Sequence, residues 1–331
     1  MRSNIWFQKV LYGSYCLVFI VKPRNETVTD LHGMLLRAGF AASDPKDLVH
    51  SGFDIVARRD QVILVIKVVT NANSLNEEML TGMKTLSNAV RGSAILIALK
   101  SGTEPIEDGV VYTRTGIPMI SLGTLRDLIE DGIPPIVYAA SGGFYVEVDS
   151  EVLRKARDGG LSLGDIAEMA GVTRRTIKMY EDGMSAKLDV ALRIEKGLGK
   201  EIILPLDPLS CRGVDDSPGH PEEFHGLAGE IFLRLSHIGY NVNPAARCPF
   251  DGVATDKDVV LLAGVDQKRP GLDRRARAIS VLSRVLEKHS VIFVDRLGEK
   301  LNLEGTPLVC TSELQKARDR KKVMDLIEER V

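Results

Sequence analysis

Apolar positions in this chain follow two rhythms. Near-continuous runs such as "VILVIKVV" (Val62–Val69), "SAILIAL" (Ser93–Leu99), Val259–Val265 and "SVIFV" (Ser290–Val294) predict interior β-strands covered on both faces. Segments of helical period lie between them, at about 75–91 and 272–288. Amphipathic helices upstream end at Gly39 and Gly239, where glycine suits a left-handed cap. Short strands "PMISL" and "PLVCT" lead into one more helix each.

The same order occurs twice. "FDIVARRDQVILVIKV" (Phe53–Val68) and "FDGVATDKDVVLLAGV" (Phe250–Val265) align residue for residue at an offset of 197. Leu75–Ile97 continues onto Leu272–Val294 without a gap. Upstream, "MLLRAGF" matches "RLSHIGY" after a three-residue slip; downstream, Gly116–Leu125 matches Gly305–Leu314. Helix, strand, strand, helix, strand and strand predict a mixed α/β layer domain, present in two copies by duplication.

Between the copies, Glu151–Gly199 has a different pattern, predicting four short helices at about 151–157, 163–169, 174–181 and 187–197. Ser162 is placed to cap the second, with Asp165 returning the hydrogen bond. Gly171 permits the tight turn, Val172 fills it and Thr173 caps the third helix. Ile166, Ala167, Ala170, Ile177 and Tyr180 point inward, as do Leu188, Ala191, Leu192 and Ile194 of the fourth helix. Arg174, Arg175 and Lys178 then face outward.

Composition limits what this can mean. The 331 residues carry a net charge of −2, with 44% hydrophobic and 27% charged residues. That suits a soluble multidomain protein, and any nucleic-acid site must be local. Cys16, Cys211, Cys248 and Cys310 are scattered, with no CxxC or Cys/His cluster, so reduced thiols, no metal site and a cytoplasmic location are expected. The apolar run Val10–Val21 is too short to span a membrane comfortably. It reads as an appendage, a membrane-surface segment or residues ahead of a start near Val28. Residues 201–226, rich in Pro, Gly and Asp, read as a linker in which His220 and His225 are solvated. No phosphate loop, nucleophile elbow or HExxH occurs, so no cofactor and no catalytic residue is expected.

"GLSLGDIAEMAGVTRRTIKMYEDG" (Gly160–Gly183) closely resembles the helix-turn-helix of the lambda-repressor and Cro family. The resemblance implies that the third helix enters the major groove, with Ser162, Thr173, Arg174, Arg175, Thr176 and Lys178 as DNA-binding residues. Arginine suits bidentate contact with guanine. Arg154, Lys155, Arg157, Lys187 and Arg193 could add phosphate contacts. One departure stands out: many members carry Gln after the second helix's cap, whereas this chain has Leu163 and then Gly164. Read without the motif, the three cations would merely solvate an exposed helix.

The flanking copies resemble the restriction-endonuclease-like fold. Asp54 matches that family's first Asp and Lys67 its Lys, but the acid position is Val65. The second copy keeps Asp251 and has Leu262 and Gly264 at the matching positions. The resemblance therefore implies a retained fold and lost metal chemistry, with Asp54 and Asp251 as strand-end hydrogen-bonding carboxylates.

The expected architecture is α/β multidomain: two nuclease-like mixed-sheet repeats flanking an all-α Cro-like helix-turn-helix domain. Boundaries fall at an appendage (1–27), repeat 1 (28–149), the helix-turn-helix domain (150–207), a linker (208–226) and repeat 2 (227–331). Together the resemblances match archaeal helix-turn-helix regulators and imply a sequence-specific DNA-binding transcriptional regulator, homodimeric on double-stranded operator DNA. The alternatives are a DNA nuclease or junction-processing enzyme targeted by the helix-turn-helix, and a protein-interaction module. The sequence names no operator or effector.

Overall fold

A computed structural model describes residues 23–210, 220–257, 259–266 and 271–331. The whole apolar run Val10–Val21, Cys16, Cys211 and the centre of the linker lie outside these residues.

Repeat 1 opens with α1 (Arg24–Arg37), which follows Pro23 and packs Val28, Leu31, Met34 and Leu35 onto a sheet. The helix therefore begins four residues before Val28, and 24–27 belongs to it rather than to an appendage. The chain continues through β1 (Ala41–Ala42), β2 (Ile55–Arg59) and β3 (Val62–Asn71) to α2 (Glu77–Ala89). Asn76 caps α2 by accepting from Met79 N–H, which starts the helix two residues later than its period alone predicts. Next come β4 (Ser93–Ser101), β5 (Glu104–Pro105), β6 (Val110–Arg114), β7 (Ile117–Ile120) and α3 (Leu122–Ile129). A hairpin of β8 (Val137–Ala140) and β9 (Gly143–Val148) follows.

The middle segment forms α4 (Ser150–Asp158), α5 (Leu163–Ala170), α6 (Arg174–Glu181), β10 (Ala186–Lys187), α7 (Leu188–Leu198) and β11 (Ile203–Leu204). Repeat 2 comprises α8 (Gly226–Ile238), β12 (Asn241–Pro244), β13 (Gly252–Thr255), β14 (Val260–Val265), α9 (Leu272–Leu286), β15 (His289–Val294), β16 (Asn302–Leu303), β17 (Thr306–Cys310), α10 (Thr311–Lys316) and α11 (Arg320–Glu328).

The two sheets share one topology. Repeat 1 runs β1-β2-β3-β4-β7-β6 and repeat 2 runs β12-β13-β14-β15-β17-β16. The sense of pairing agrees at every step: antiparallel, antiparallel, parallel, parallel, antiparallel. The small strands β6 and β16 were not legible as elements from the apolar pattern, yet they occupy matching positions.

Alternation along β3 explains its continuous hydrophobicity. Leu64, Ile66 and Val68 face α1, while Ile63, Val65 and Val69 face the other way. On that second face one core holds α2 and α9 together, joining Met83 and Leu86 to Phe250, Val253, Ile279 and Leu282. The layers are thus helix, sheet, shared helices, sheet, helix, with α8 and α11 covering the far side. Polar contacts cross the seam in nearly matched pairs: Arg247 Nε to Glu78 at 3.1 Å and Arg274 Nη1 to His50 Nε2 at 3.2 Å.

The helical domain is built into repeat 1. Strand β8 pairs with β6, and β9 receives β10 and β11 from either side of α7. Val110, Val137, Val146 and Val148 complete the apolar core under α4–α7. Beyond β11 the chain returns to repeat 1, where Leu206 N–H donates to Pro135 O (2.8 Å) and Leu209 packs against the α1 face. These anchoring contacts are too distant in sequence to leave a periodic signal, which is why the pattern of this stretch reads as linker.

Candidate nucleic-acid interface

Short-range chemistry shapes the helix-turn-helix. Ser162 Oγ accepts from Asp165 N–H (3.1 Å), and Asp165 Oδ2 accepts from Ser162 N–H (2.6 Å). Hydrogen bonds that Ser162 donates to the Asp165 carboxyl, first from its backbone N–H, are the main reason that carboxyl lies below its ordinary range. Gly171 ends α5 at φ 67°, ψ 36°, a left-handed conformation that a β-carbon would disfavour. Thr173 Oγ1 accepts from Thr176 N–H (3.1 Å) and lies 2.9 Å from Thr176 Oγ1, so α6 starts at Arg174. Ile177 and Tyr180 are buried against Ile166, Ala167, Ala170 and Ile194. Leu188 and Leu192 are only partly buried, and Val190 takes a place in the core beside Ala191.

With that face turned inward, Arg174, Arg175 and Lys178 are exposed along α6, and Thr176 is half-buried. Their surroundings differ. Arg174 lies back over α5 and shares a cleft with Arg157, Asp158, Leu161, Ser162, Leu163 and Gly164. Arg175 makes no hydrogen bond or ion pair among the described residues. Lys178 Nζ stands 3.2 Å from Asp182 and 3.6 Å from Glu181. Of the six predicted DNA-binding residues, Ser162 and Arg174 line one cleft, while Thr173, Arg175, Thr176 and Lys178 lie on α6 and its cap.

Glu181 is fully buried, and both its oxygens accept from Arg157 Nη1, at 3.0 and 3.2 Å. Arg154 donates to the Glu181 carbonyl. Arg193 donates to Ala170 O (2.8 Å) and to Asp189 (3.0 Å). Three of the cations read from sequence as phosphate contacts therefore tie the helices together. Residue type could not reveal this, because the partners lie 23 to 27 positions away for the three interhelical bonds.

The nuclease-like centres differ from a metal site. Asp54 Oδ1 lies 2.5 Å from Arg24 Nη2 and 3.3 Å from Lys67 Nζ, and Oδ2 accepts from Val68 N–H (2.8 Å). Val65 at the acid position is fully buried. In repeat 2, Asp251 Oδ2 accepts from Val265 N–H (2.6 Å) and pairs with Arg275. Each centre thus offers one carboxylate, already engaged by a guanidinium. A hard divalent cation needs several oxygen ligands, so these donors do not fit one. No group of three or more His, Cys, Asp or Glu side chains suited to a metal occurs among the described residues. Nor is any helix there long and apolar enough to cross a membrane.

Residues 24–135 match the family model of a PD-(D/E)XK superfamily domain, and residues 153–203 match that of a helix-turn-helix. No solved structure matches the chain significantly. Relatives provisionally named HTH-type transcriptional regulatory proteins align along most of the chain. The one from Archaeoglobus fulgidus is 39% identical, covering 90% of this chain and 95% of its own. Those from Methanosarcina acetivorans (37%; 90% and 94%) and Halobacterium salinarum (33%; 93% and 98%) are similar in extent. With a nuclease-like domain followed by a helix-turn-helix, the chain belongs to this family of archaeal HTH-type transcriptional regulatory proteins.

Proposed function

We propose that the chain is a sequence-specific DNA-binding transcriptional regulator that reads the major groove with α6. The outward face of α6 carries this reading. It is displayed on a helix-turn-helix whose caps and turn are complete, and it bears cations at the positions from which such helices reach base edges. The names of the relatives agree with it. Each chain supplies one such helix, and one helix covers only a few base pairs. A homodimer on two related half-sites is the arrangement that gives useful specificity. The two repeats serve as a platform, and the work is done in the cytoplasm.

We favour a regulator over a nuclease because Asp54 and Asp251 are engaged by guanidinium groups and Val65 stands where a second carboxylate is needed. The test is selection from a random duplex pool at two salt concentrations, with a cleavage assay in magnesium or manganese beside it. Enrichment of a palindromic motif and intact DNA are the expected results. Absence of any enriched motif would overturn specific reading. Metal-dependent cutting abolished by Asp54→Ala would restore the nuclease.

A further inference from the structure

Arg174, Arg175 and Lys178 lie within five residues on one helix, yet the fold treats them differently. Gly164, the second residue of α5, has no side chain, and the Arg174 guanidinium uses that space. A β-carbon on Gly164 would lie 3.1 Å from both Nε and Nη2 of Arg174, and 3.3 Å from Ser162 Oγ. The Arg174 side chain therefore runs backward from the start of α6, toward the turn between α4 and α5. Its charge also helps hold the Asp165 carboxyl in its ionised form, after the bonds from Ser162. The cleft that it enters is lined by Arg157 and Asp158 at the end of α4 and by Ser162 and Leu163 at the start of α5. Asp158 and Asp165 offset part of the positive charge there, and Arg157 is committed to Glu181. Arg174 is thus the cation of this cleft with no hydrogen-bonded partner among the described residues.

Lys178 has two carboxylates within 3.6 Å. Arg175, one position beyond Arg174, is exposed and has neither a neighbouring acid nor a glycine to lie against. Of these three cations, Arg175 is the one left to extend along the outward direction of α6 among the described residues.

We infer that Arg174 is a backbone contact that grips a DNA phosphate beside the start of α5, and that Arg175 is the base-reading arginine. This rests on the DNA-reading function proposed above and assigns the work within it. Leu163 cannot hydrogen-bond a phosphate with its side chain, and Gly164 has none. A guanidinium brought over Gly164 from α6 places a donor at the start of α5, where neither of these side chains supplies one. Phosphate contacts fix register without reporting sequence, whereas bidentate contacts to guanine report it.

The test uses the full-length chain, the enriched duplex, a set of its single-base variants and a salt series. Arg174→Ala is expected to weaken binding about tenfold for every duplex alike, and to lower the slope of log K against log salt by about 1. Arg175→Ala is expected to erase discrimination of about 5- to 100-fold at one base pair while changing the other preferences little. Gly164→Ala keeps α5 helical and displaces the guanidinium. It should weaken binding uniformly in the wild type and have no effect on DNA binding in Arg174→Ala. Thermal unfolding of each variant confirms that the fold persists. Flattened preference at one base pair in Arg174→Ala, or an unchanged salt slope, overturns the assignment while leaving the regulator intact. A wild type that binds no duplex overturns the regulator and the assignment together.

Discussion

The carboxylate centres of the two repeats show how one fold can meet the same demand from different places. Asp54 and Asp251 occupy matching positions, and the matching backbone N–H groups, Val68 and Val265, donate to both. Each carboxylate is largely buried and needs a cation. Repeat 1 supplies two, Lys67 from β3 beside the aspartate and Arg24 from the first residue of α1. Repeat 2 has Gly264 where Lys67 would be, and it brings Arg275 from α9. The Arg275 side chain also donates to Pro249 O and Val265 O (2.9 Å for the latter). The backbone pairing is common to both repeats, whereas the cations beside the carboxylate come from different elements in each.

The largest expected effect is at the seam between the repeats, where Gly82 of α2 corresponds to the buried Ile279 of α9. A β-carbon on Gly82 would stand 1.9 Å from the Ala246 carbonyl oxygen. Helix propensity alone favours alanine there by ~1 kcal/mol. Gly82→Ala should nevertheless destabilise by about 3 kcal/mol, because backbone must move. Denaturant unfolding that showed stabilisation would mean that the repeats are not tightly packed at this point.

Arg275→Ala comes next. It removes a largely buried guanidinium from Asp251 and strips two carbonyls of a donor, so a loss of about 3 kcal/mol is expected. Arg24→Ala should cost less, about 1 kcal/mol, because Arg24 is more exposed than Arg275 and donates to one carbonyl rather than two. Equal losses from Arg275→Ala and Arg24→Ala, measured in the same urea titration, would remove the contrast between the repeats. Gly264→Lys, which transplants the repeat 1 residue, should cost about 2 kcal/mol rather than rescue Arg275→Ala. Its β-carbon would press within 3.1 Å of Ile279 and Ile292, into space that the shared core has closed.

The smallest effect concerns the last helices. Ser121 caps α3 with its hydroxyl, whereas Glu313 returns the bond at α10, accepting from Cys310 N–H (2.9 Å) and pairing with Arg330 (2.7 Å). Hydrogen bonding from Arg330 holds the Glu313 carboxyl below its ordinary value of 4.5. A depressed folded value means this stabilisation is fully present above pH 4.5 and is lost as pH falls through the lower folded value. Unfolding midpoints compared at pH 7 and pH 3 should show a small loss attributable to Glu313, absent in Glu313→Gln. A stabilisation on acidification that depends on Glu313 would reverse the sign.

Much of this protein was legible before any coordinates. The helix-turn-helix was readable because helix periods, caps and the Gly171 turn are set by residues three or four positions apart, where sequence and geometry coincide. The core strands of both repeats were readable because strands buried on both faces cannot accept polar residues, so their composition exposes them. Other features depended on contacts between distant segments. Among them are the strands β8 to β11 that join the reading domain to repeat 1, the commitment of Arg154, Arg157 and Arg193 to the fold, and the guanidinium groups beside Asp54 and Asp251. A sequence shows that a cation exists and which face of its helix it shares. Whether that cation meets a buried carboxylate, a carbonyl or open solvent is decided by which distant surfaces the fold packs together, because burial and electrostatic pairing are properties of position in space.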